Sequence, residues 1–586
     1  MLTALIAGHQ VDRLRDGSAG TPAFDQLRAV IQALLEACKT EQVNLRLLTG
    51  VSTGTDAEAA EIAAENNLPL HLLAPGLPSF LTLSPAQQRA ERQVWLGAEK
   101  DDFTSEEPYA VRDHIALGFA DLLIVVWDGE AARGMTGGTV RLVFQAALAM
   151  KPVIWINTTG AIRLLDRTQL SAHRRHRLEC PDPRIAWLTA CFSELPANQA
   201  LGTCLYGMVS AALKNPRFAE GRARGGVATR AGHFHRAMMH LAQGNVSAAL
   251  SAFRSQDVRA DRGPAWDDKA NLMAPTPVLD AHFDQADVDA TIAAGRHRDA
   301  TWIIYASATV AVFCAVAGAI YLWPGGKGPL WAIIELLLVV GVVTMFNIAL
   351  NEKWHSDWVG QRFIAEQLRY VRMGLPLLAL PRSVHQSAWM VSVNRQGVAQ
   401  EMESEELRAI QHTVVASGLP SAPDSSIYIA STRASFAALR DYIQCVVNEQ
   451  IEYHHKKHHR EHAVHRVLHK LSMGLFGLTG AAVLAHFFIA GTWLLVFTAF
   501  CPALAAGIHG LATKLEIARL ATQSAVTELE LKQLGTAIAN IDASEGSTWQ
   551  QWLQLRHLAL AAARVMSDEN GQWHKLVSHQ EPELPA

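Results

Sequence analysis

Apolar residues are unevenly spread along this chain. They form four long runs in the second half and several short ones in the first. Thr301–Trp323 (TWIIYASATVAVFCAVAGAIYLW) holds no charge, and Pro329–Leu350 (PLWAIIELLLVVGVVTMFNIAL) follows PGGKG with one, Glu335. About 20 apolar residues at about 1.5 Å each cross a hydrocarbon core of about 30 Å. The pair therefore reads as a helical membrane hairpin. Leu471–Ala490 and Thr492–Leu511 read as a second hairpin, which holds His486, Pro502 and His509. The alternative for both is a pair of fully buried core helices.

The polar positions flanking these runs set an orientation. Thirteen Lys and Arg residues border them on one side (Arg296, Arg298, Lys353, Arg362, Arg369, Arg372, Lys456, Lys457, Arg460, Arg466, Lys470, Lys514, Arg519), whereas the two tips hold only Lys327. That asymmetry predicts a multi-pass protein of the cell inner membrane with both termini and the central segment cytoplasmic. MLTALIAGHQVDRLRDG lacks the basic and apolar regions of a signal peptide. Mean hydropathy is +0.09 and 18% of residues are charged, too polar for a polytopic transporter and too apolar for an ordinary cytosolic enzyme. A net charge of −4 gives no basic field for nucleic acid, so no such partner is expected. Seven cysteines without a CxxC argue against a disulfide framework or a zinc ribbon.

The first 160 residues alternate differently. Thr3–Ala7, Leu45–Leu48, Pro69–Leu73, Leu122–Val126 and Val153–Ile156 are short apolar runs of strand type. Between them lie helical patterns over Phe24–Cys38, 56–66 and from Thr139 to Met150. This alternation predicts an α/β domain with a parallel sheet and crossover helices. Turns rich in glycine or hydroxyls follow three of the strands, and ligands of such sheets bind beyond the carboxyl ends of the strands. The candidate ligand-binding residues are Gly8, His9 and Gln10; Gly50, Ser52, Gly54 and Asp56; and Trp127, Asp128, Gly129, Gly137, Gly138 and Thr139. Glycine lets backbone N–H groups approach a phosphate, and a following helix adds its positive dipole. Asp56 and Asp128 are either caps of their turns or ribose ligands. Neither GxGxxG nor GxxxxGK[ST] occurs, which excludes a standard dinucleotide site and a P-loop.

The chain divides into an α/β domain (1–215), a linker and helix (216–300), a membrane hairpin (301–350), a cytosolic helical segment (351–470), a second hairpin (471–511) and C-terminal helices (512–586). Residues 161–270 and 375–435 give no clear pattern. Arg217–Gly232 reads as an exposed basic linker. Arg362, Glu366 and Arg369 have the spacing of i,i+3 and i,i+4 pairs. Tyr453–Lys470 (YHHKKHHREHAVHRVLHK) stacks histidines four apart, either as a metal-binding face or as a wetted basic helix. Gly474, Gly477 and Gly480 suggest close helix packing. Glu335 and Asn347 are candidate pore residues, because an acid in lipid costs about 2–3 kcal/mol unless it faces water or a partner.

The series GHQ, LLTGVSTGTDAEAAEIA, EKDDF, ADLLIVVWDGEA and GMTGGTVRLVFQAA resembles the SLOG family of Rossmann-like nucleotide-sensing domains. The resemblance implies a signalling nucleotide or ADP-ribose derivative as ligand, with no further cofactor. Enzymes among its relatives, the LOG phosphoribohydrolases, carry PGGxGTxxE. Leu142 stands where their catalytic Glu would be, so sensing is expected rather than hydrolysis. The opening GHR-like motif has Gln10 as its third residue. WVGQRFIAEQLR at Trp358–Arg369 and Ala503–Leu534 resemble SLATT proteins, two-transmembrane effectors that associate with SMODS and SLOG partners. Together the resemblances imply a nucleotide-gated, pore-forming, homo-oligomeric effector of a bacterial anti-phage system, with the lipid bilayer and a second messenger as partners. A membrane-tethered nucleotide or NAD hydrolase and a passive membrane scaffold are the rival readings.

Overall fold

A computed structural model describes residues 1–9, 20–80, 82–97, 107–130, 138–149, 151–165, 188–195, 201–213, 227–229, 232–252, 256–263, 272–319, 328–385, 391–393, 399–401, 405–430, 433–489, 491–543 and 549–577. Gln10, Gly137, EKDDF, the first hairpin's tip with Lys327 and most of the Arg/Gly linker lie outside them.

The first half alternates as its pattern predicts. In chain order come β1 (Leu2–Gly8), α1 (Gly20–Thr40), β2 (Leu45–Thr49), α2 (Thr55–Glu65), β3 (Leu70–Ala74), β4 (Arg92–Trp95), α3 (Glu107–Gly118), β5 (Leu122–Val126), α4 (Thr139–Leu148), β6 (Val153–Ile156), β7 (Ile162–Leu165), β8 (Phe192–Glu194) and α5 (Leu201–Leu213). β1, β2, β3, β5 and β6 are near-continuous apolar runs because both faces of the sheet are covered there. On one face, Leu2, Ala4, Ile6, Leu47 and Ile124 pack under α1 and α2, with Leu27, Ile31, Leu34 and Ile62.

The other face is covered by residues far away in sequence. The second half contains α6 (His233–Ala242), α7 (Pro277–Ala317), α8 (Gly328–Asn351), α9 (Trp354–Gly374), α10 (Glu405–Ser417), β9 (Ile427–Ile429), α11 (Arg433–Ala485), α12 (Cys501–Lys514), α13 (Ile517–Ala539) and α14 (Trp549–Val577). Leu5, Leu48, Leu73, Val94, Leu123 and Val125 share one core with Phe283 of α7, Leu368 and Val371 of α9, Ile410 of α10, Phe436 and Ile443 of α11 and Trp552 of α14. The sheet runs β9-β4-β3-β2-β1-β5-β6-β7-β8. Its pairs from β9 to β6 are parallel, and β7 and β8 are antiparallel.

Residue 215 is therefore not the boundary of the sheet domain, because β9 comes from 375–435, a segment whose sequence gives no clear pattern. Arg46 donates to the carbonyls of Val415 (3.1 Å) and Ala416 (3.3 Å), and Arg92 donates to that of Ser417 (3.0 Å). The tail tryptophans Trp549 and Trp552 are buried and stacked at 5.0 Å.

Among the described residues, four helices are long and apolar enough to cross a membrane. The two hairpins follow one plan. A long helix (α7 or α11) goes out, and a shorter one (α8 or α12) returns. A residue at φ 51° (Lys353 or Glu516) then breaks the chain into a helix packed back on the first (α9 on α7, α13 on α11). The hairpins meet at Gly507 and Gly510, where an added Cβ would lie 2.7 Å from the Thr309 hydroxyl and 2.8 Å from the Tyr305 ring. The predicted packing glycines Gly474, Gly477 and Gly480 have nothing within 4 Å of such a Cβ, so they serve no close packing among the described residues. None of the most apolar 18-residue stretch of α8 is buried.

α9 carries polar residues into the core. Glu366, Gln367 and Arg372 are buried on it. Glu366 pairs with Arg362 and, at 3.6 Å, with Arg369, and Asp287 of α7 takes Arg362 at 3.3 Å.

Two imidazoles, the buried His71 and the half-buried His114, make this fold acid-sensitive. His71 on β3 accepts from the Leu419 N–H at 3.4 Å and has Glu91 at 4.0 Å. Burial, then the charges of Arg46 and Arg92, hold it well below its usual value. Burial, with Arg556 and Arg141 behind it, lowers His114 to about 4. Unfolded histidine takes a proton below pH about 6.5. Stability is thus fully present above that pH and is lost as pH falls toward 4, because only the unfolded chain gains the protons. The urea midpoint is expected to be lower at pH 5 than at pH 7, and an equal or higher midpoint would contradict this.

Candidate functional site

The strand order changes direction at β1, which lies between β2 and β5. The turns leaving these three strands converge there, and such a crevice is where open α/β sheets take ligands. The chain enters it through Gly8. A Cβ at Gly8 would press on the Thr55 hydroxyl and lie 2.7 Å from the Val126 carbonyl. His9 donates its N–H to that carbonyl at 3.1 Å and accepts from the Thr55 hydroxyl at 3.1 Å. Its Nε2 lies 2.9 Å from Asp128 Oδ1. Asp128 also accepts the Glu130 N–H at 2.9 Å, closing the turn through Gly129 at φ +84°. Gly8, His9, Gly54, Thr55, Asp128 and Gly129 thus form one constellation, with Asp128 partly exposed at its rim. Thr55 was not a sequence candidate, although it follows Gly54 directly.

Three candidates have structural roles instead. Trp127 is fully buried. Its indole N–H donates to the Glu130 carbonyl at 2.9 Å, and its own carbonyl accepts from Trp155 at 2.8 Å. Asp56 is buried and occupied, because it accepts from the Thr49 hydroxyl (3.0 Å), the Ser52 N–H (3.1 Å) and the Ser52 hydroxyl. Of the two sequence readings, the turn cap holds for Asp56, and it takes Ser52 with it. Gly50 lies under this knot, where a Cβ would meet Asp56 and Arg112.

Arg112 on α3 is the group that sequence reasoning missed. Nothing in its spacing flags it. It donates to Asp113 at 2.9 Å. Burial would lower its pKa, but the charges of Asp113 and Asp56 outweigh that and raise it.

The two helix N-termini at the crevice differ. The first turn of α2 already carries Asp56 and Glu58, which answer its positive end. α4 has no acid in its first turn, starts from Gly138 at φ +96° and carries the exposed Arg141. Leu142 is 2% exposed and packs in the core.

In the helical half, Glu335 is partly buried and Asn347 exposed on α8. Glu335 makes no hydrogen bond or ion pair with a described residue. The histidine run lies on α11 but does not form a metal cluster. His455 pairs with Glu528 of α13 at 3.0 Å, and His458 Nδ1 lies 2.9 Å from the Ala521 carbonyl. Among the described residues no group of three or more His, Cys, Asp or Glu is placed to hold a metal ion.

Fold and site together define a class: a mixed, mostly parallel α/β sheet whose far face is packed by helices, four of them long and apolar enough to span a membrane. No family model, curated protein or solved structure matches the chain.

Proposed function

We infer that the protein is a nucleotide-gated membrane effector of the anti-phage kind, with a Rossmann-like sensing head of SLOG type and a SLATT-like membrane region. One observation carries this reading. α7 (41 residues) and α11 (53 residues) run unbroken from the core under the sheet into the apolar spans. A change at the strand ends thus meets the same packed core that holds the membrane helices, and packed cores shift between discrete arrangements rather than yield smoothly. The ligand is a signalling nucleotide or ADP-ribose derivative. Its phosphate lies at the start of α4 near Gly138, Thr139 and Arg141, and Asp128 reaches its ribose. Both termini are cytoplasmic in an inner membrane.

Four spans enclose no wide channel, so the active form is a homo-oligomer. The unburied apolar surface of α8 and the unpartnered Glu335 suit contact with a second copy. Hydrolysis is disfavoured, since Leu142 points its side chain into the core.

The test uses the full chain in detergent. ADP-ribose and cyclic nucleotides are screened by thermal unfolding, and at least one is expected to raise the midpoint. Asp128→Ala should weaken that ligand about tenfold or more, the loss of one charge-assisted hydrogen bond. No shift with any of them, or an unchanged affinity in the variant, would count against the site.

A further inference from the structure

A cavity of about 500 Å³ lies away from the strand ends, among α6, α7, α9, α11 and the turn joining α12 to α13. It lies beside the turns at Lys353 and Glu516, where the apolar helices give way to charged ones. Its volume falls in the range of small-molecule sites.

Its charges do not balance. Three acids line it, and each is already matched: Glu366 with Arg362 and Arg369, Glu461 with Arg460 at 3.1 Å, and Glu516 with Arg519 at 3.4 Å. Arg236 of α6, Arg298 of α7 and Lys514 of α12 also line it, and none has a carboxylate within 4.0 Å among the described residues. Arg298 is partly buried with its guanidinium 5.0 Å from the centroid of the Trp358 ring, and it donates no hydrogen bond to a described residue. The ring orients the guanidinium and leaves its donors free for an anion in the cavity.

We propose that this cavity is a second binding site, for a phosphate-bearing anion, distinct from the head's crevice. Arg298, oriented by Trp358, supplies a planar fork that matches two phosphate oxygens, while Arg236 and Lys514 add charge from two further helices. The ligand therefore bridges α6, α7 and the end of α12, and ties both hairpins together at their cytosolic bases. A soluble polyphosphate and a phospholipid headgroup share this chemistry. The site does not rest on the head's ligand.

The experiment uses full-length protein in two arms. One is titration with inorganic triphosphate in lipid-free detergent, and the other is transfer to phosphatidylcholine nanodiscs with or without phosphatidic acid. Thermal unfolding is read in both. A rise in midpoint with triphosphate, weakened about tenfold or more in Arg298→Gln, supports the site with a soluble ligand. A rise only with phosphatidic acid, lost in the same variant, supports it with a lipid headgroup. Lys514→Gln, at a helix end, gives a second reading should Arg298→Gln fail to fold. No rise with either probe, or rises unchanged in both variants, would overturn the proposal.

Discussion

A chain cut at residue 215 is expected not to fold. The cut removes β9 and with it two ladder bonds, Gln93 N–H to the Ser426 carbonyl (2.9 Å) and Ala430 N–H to that of Trp95 (2.8 Å). It strips the carbonyl acceptors from Arg46 and Arg92. It also uncovers much of the sheet face carrying Leu5, Leu48, Leu73, Val94 and Leu123, leaving, of the described helices, only α3 and α4 upon it. Each such side chain is worth about 1.5–3 kcal/mol buried, against a total stability of about 5–15 kcal/mol. Near-ultraviolet circular dichroism and urea unfolding should show no cooperative transition. A soluble fragment 1–215 that unfolds cooperatively near the full chain's midpoint would contradict the shared core.

Gly8→Ala is the single substitution expected to do most harm to the head. Its Cβ would sit 2.7 Å from the Val126 carbonyl and against Thr55. Gly8 pairs directly with Val126 in the parallel ladder, so backbone rather than a flexible tip must move. Overpacking of this kind costs about 1–3 kcal/mol. The displacement also separates His9 from Asp128, so ligand binding should fall with stability. Gly474→Ala is the control: nothing lies within 4 Å of its Cβ, and the helix gains rather than loses. Equal urea midpoints for Gly8→Ala and the unchanged chain would show that the entry to the crevice is not built as described.

The parts of the fold legible in the sequence were those whose signal is local. β1, β2, β3, β5 and β6 are apolar runs bounded by turn residues, and the four long apolar helices announce themselves by length. β4 is RQVW and begins with an arginine whose partner carbonyl lies at Ser417, so its strand character comes from distant neighbours. β9 is three residues held by β4 alone. α9 has the pattern of a half-wetted helix, but its polar residues Glu366 and Gln367 are buried by pairing with Arg362, Arg369, Ser383 and Ser567.

The site was legible to the same degree. Glycines at strand ends located the crevice, and the His9–Asp128 contact joins two turns that the sequence treated separately. Composition could not say which polar side chains were already occupied. Asp56 and Trp127 look like ligand contacts until their hydrogen bonds are counted. Arg112 meets the Asp56 turn from a separate helix, and the basic cavity draws on helices spread along the chain, which no local pattern encodes.

A route between the sheet and the long apolar helices is visible as contacts. Arg46 and His71 hold the end of α10, and Thr413 on α10 meets His282 of α7 at 2.8 Å. Contact alone is not coupling, since a ligand shifts an equilibrium only by its differential affinity for the two states. Ion flux across liposomes reconstituted with the full chain tests the central claim most directly. Flux should appear on adding the nucleotide that raises the unfolding midpoint, and should vanish in Asp128→Ala. Correctly inserted protein that binds this nucleotide yet passes no ions, or leaks equally without it, would contradict the account.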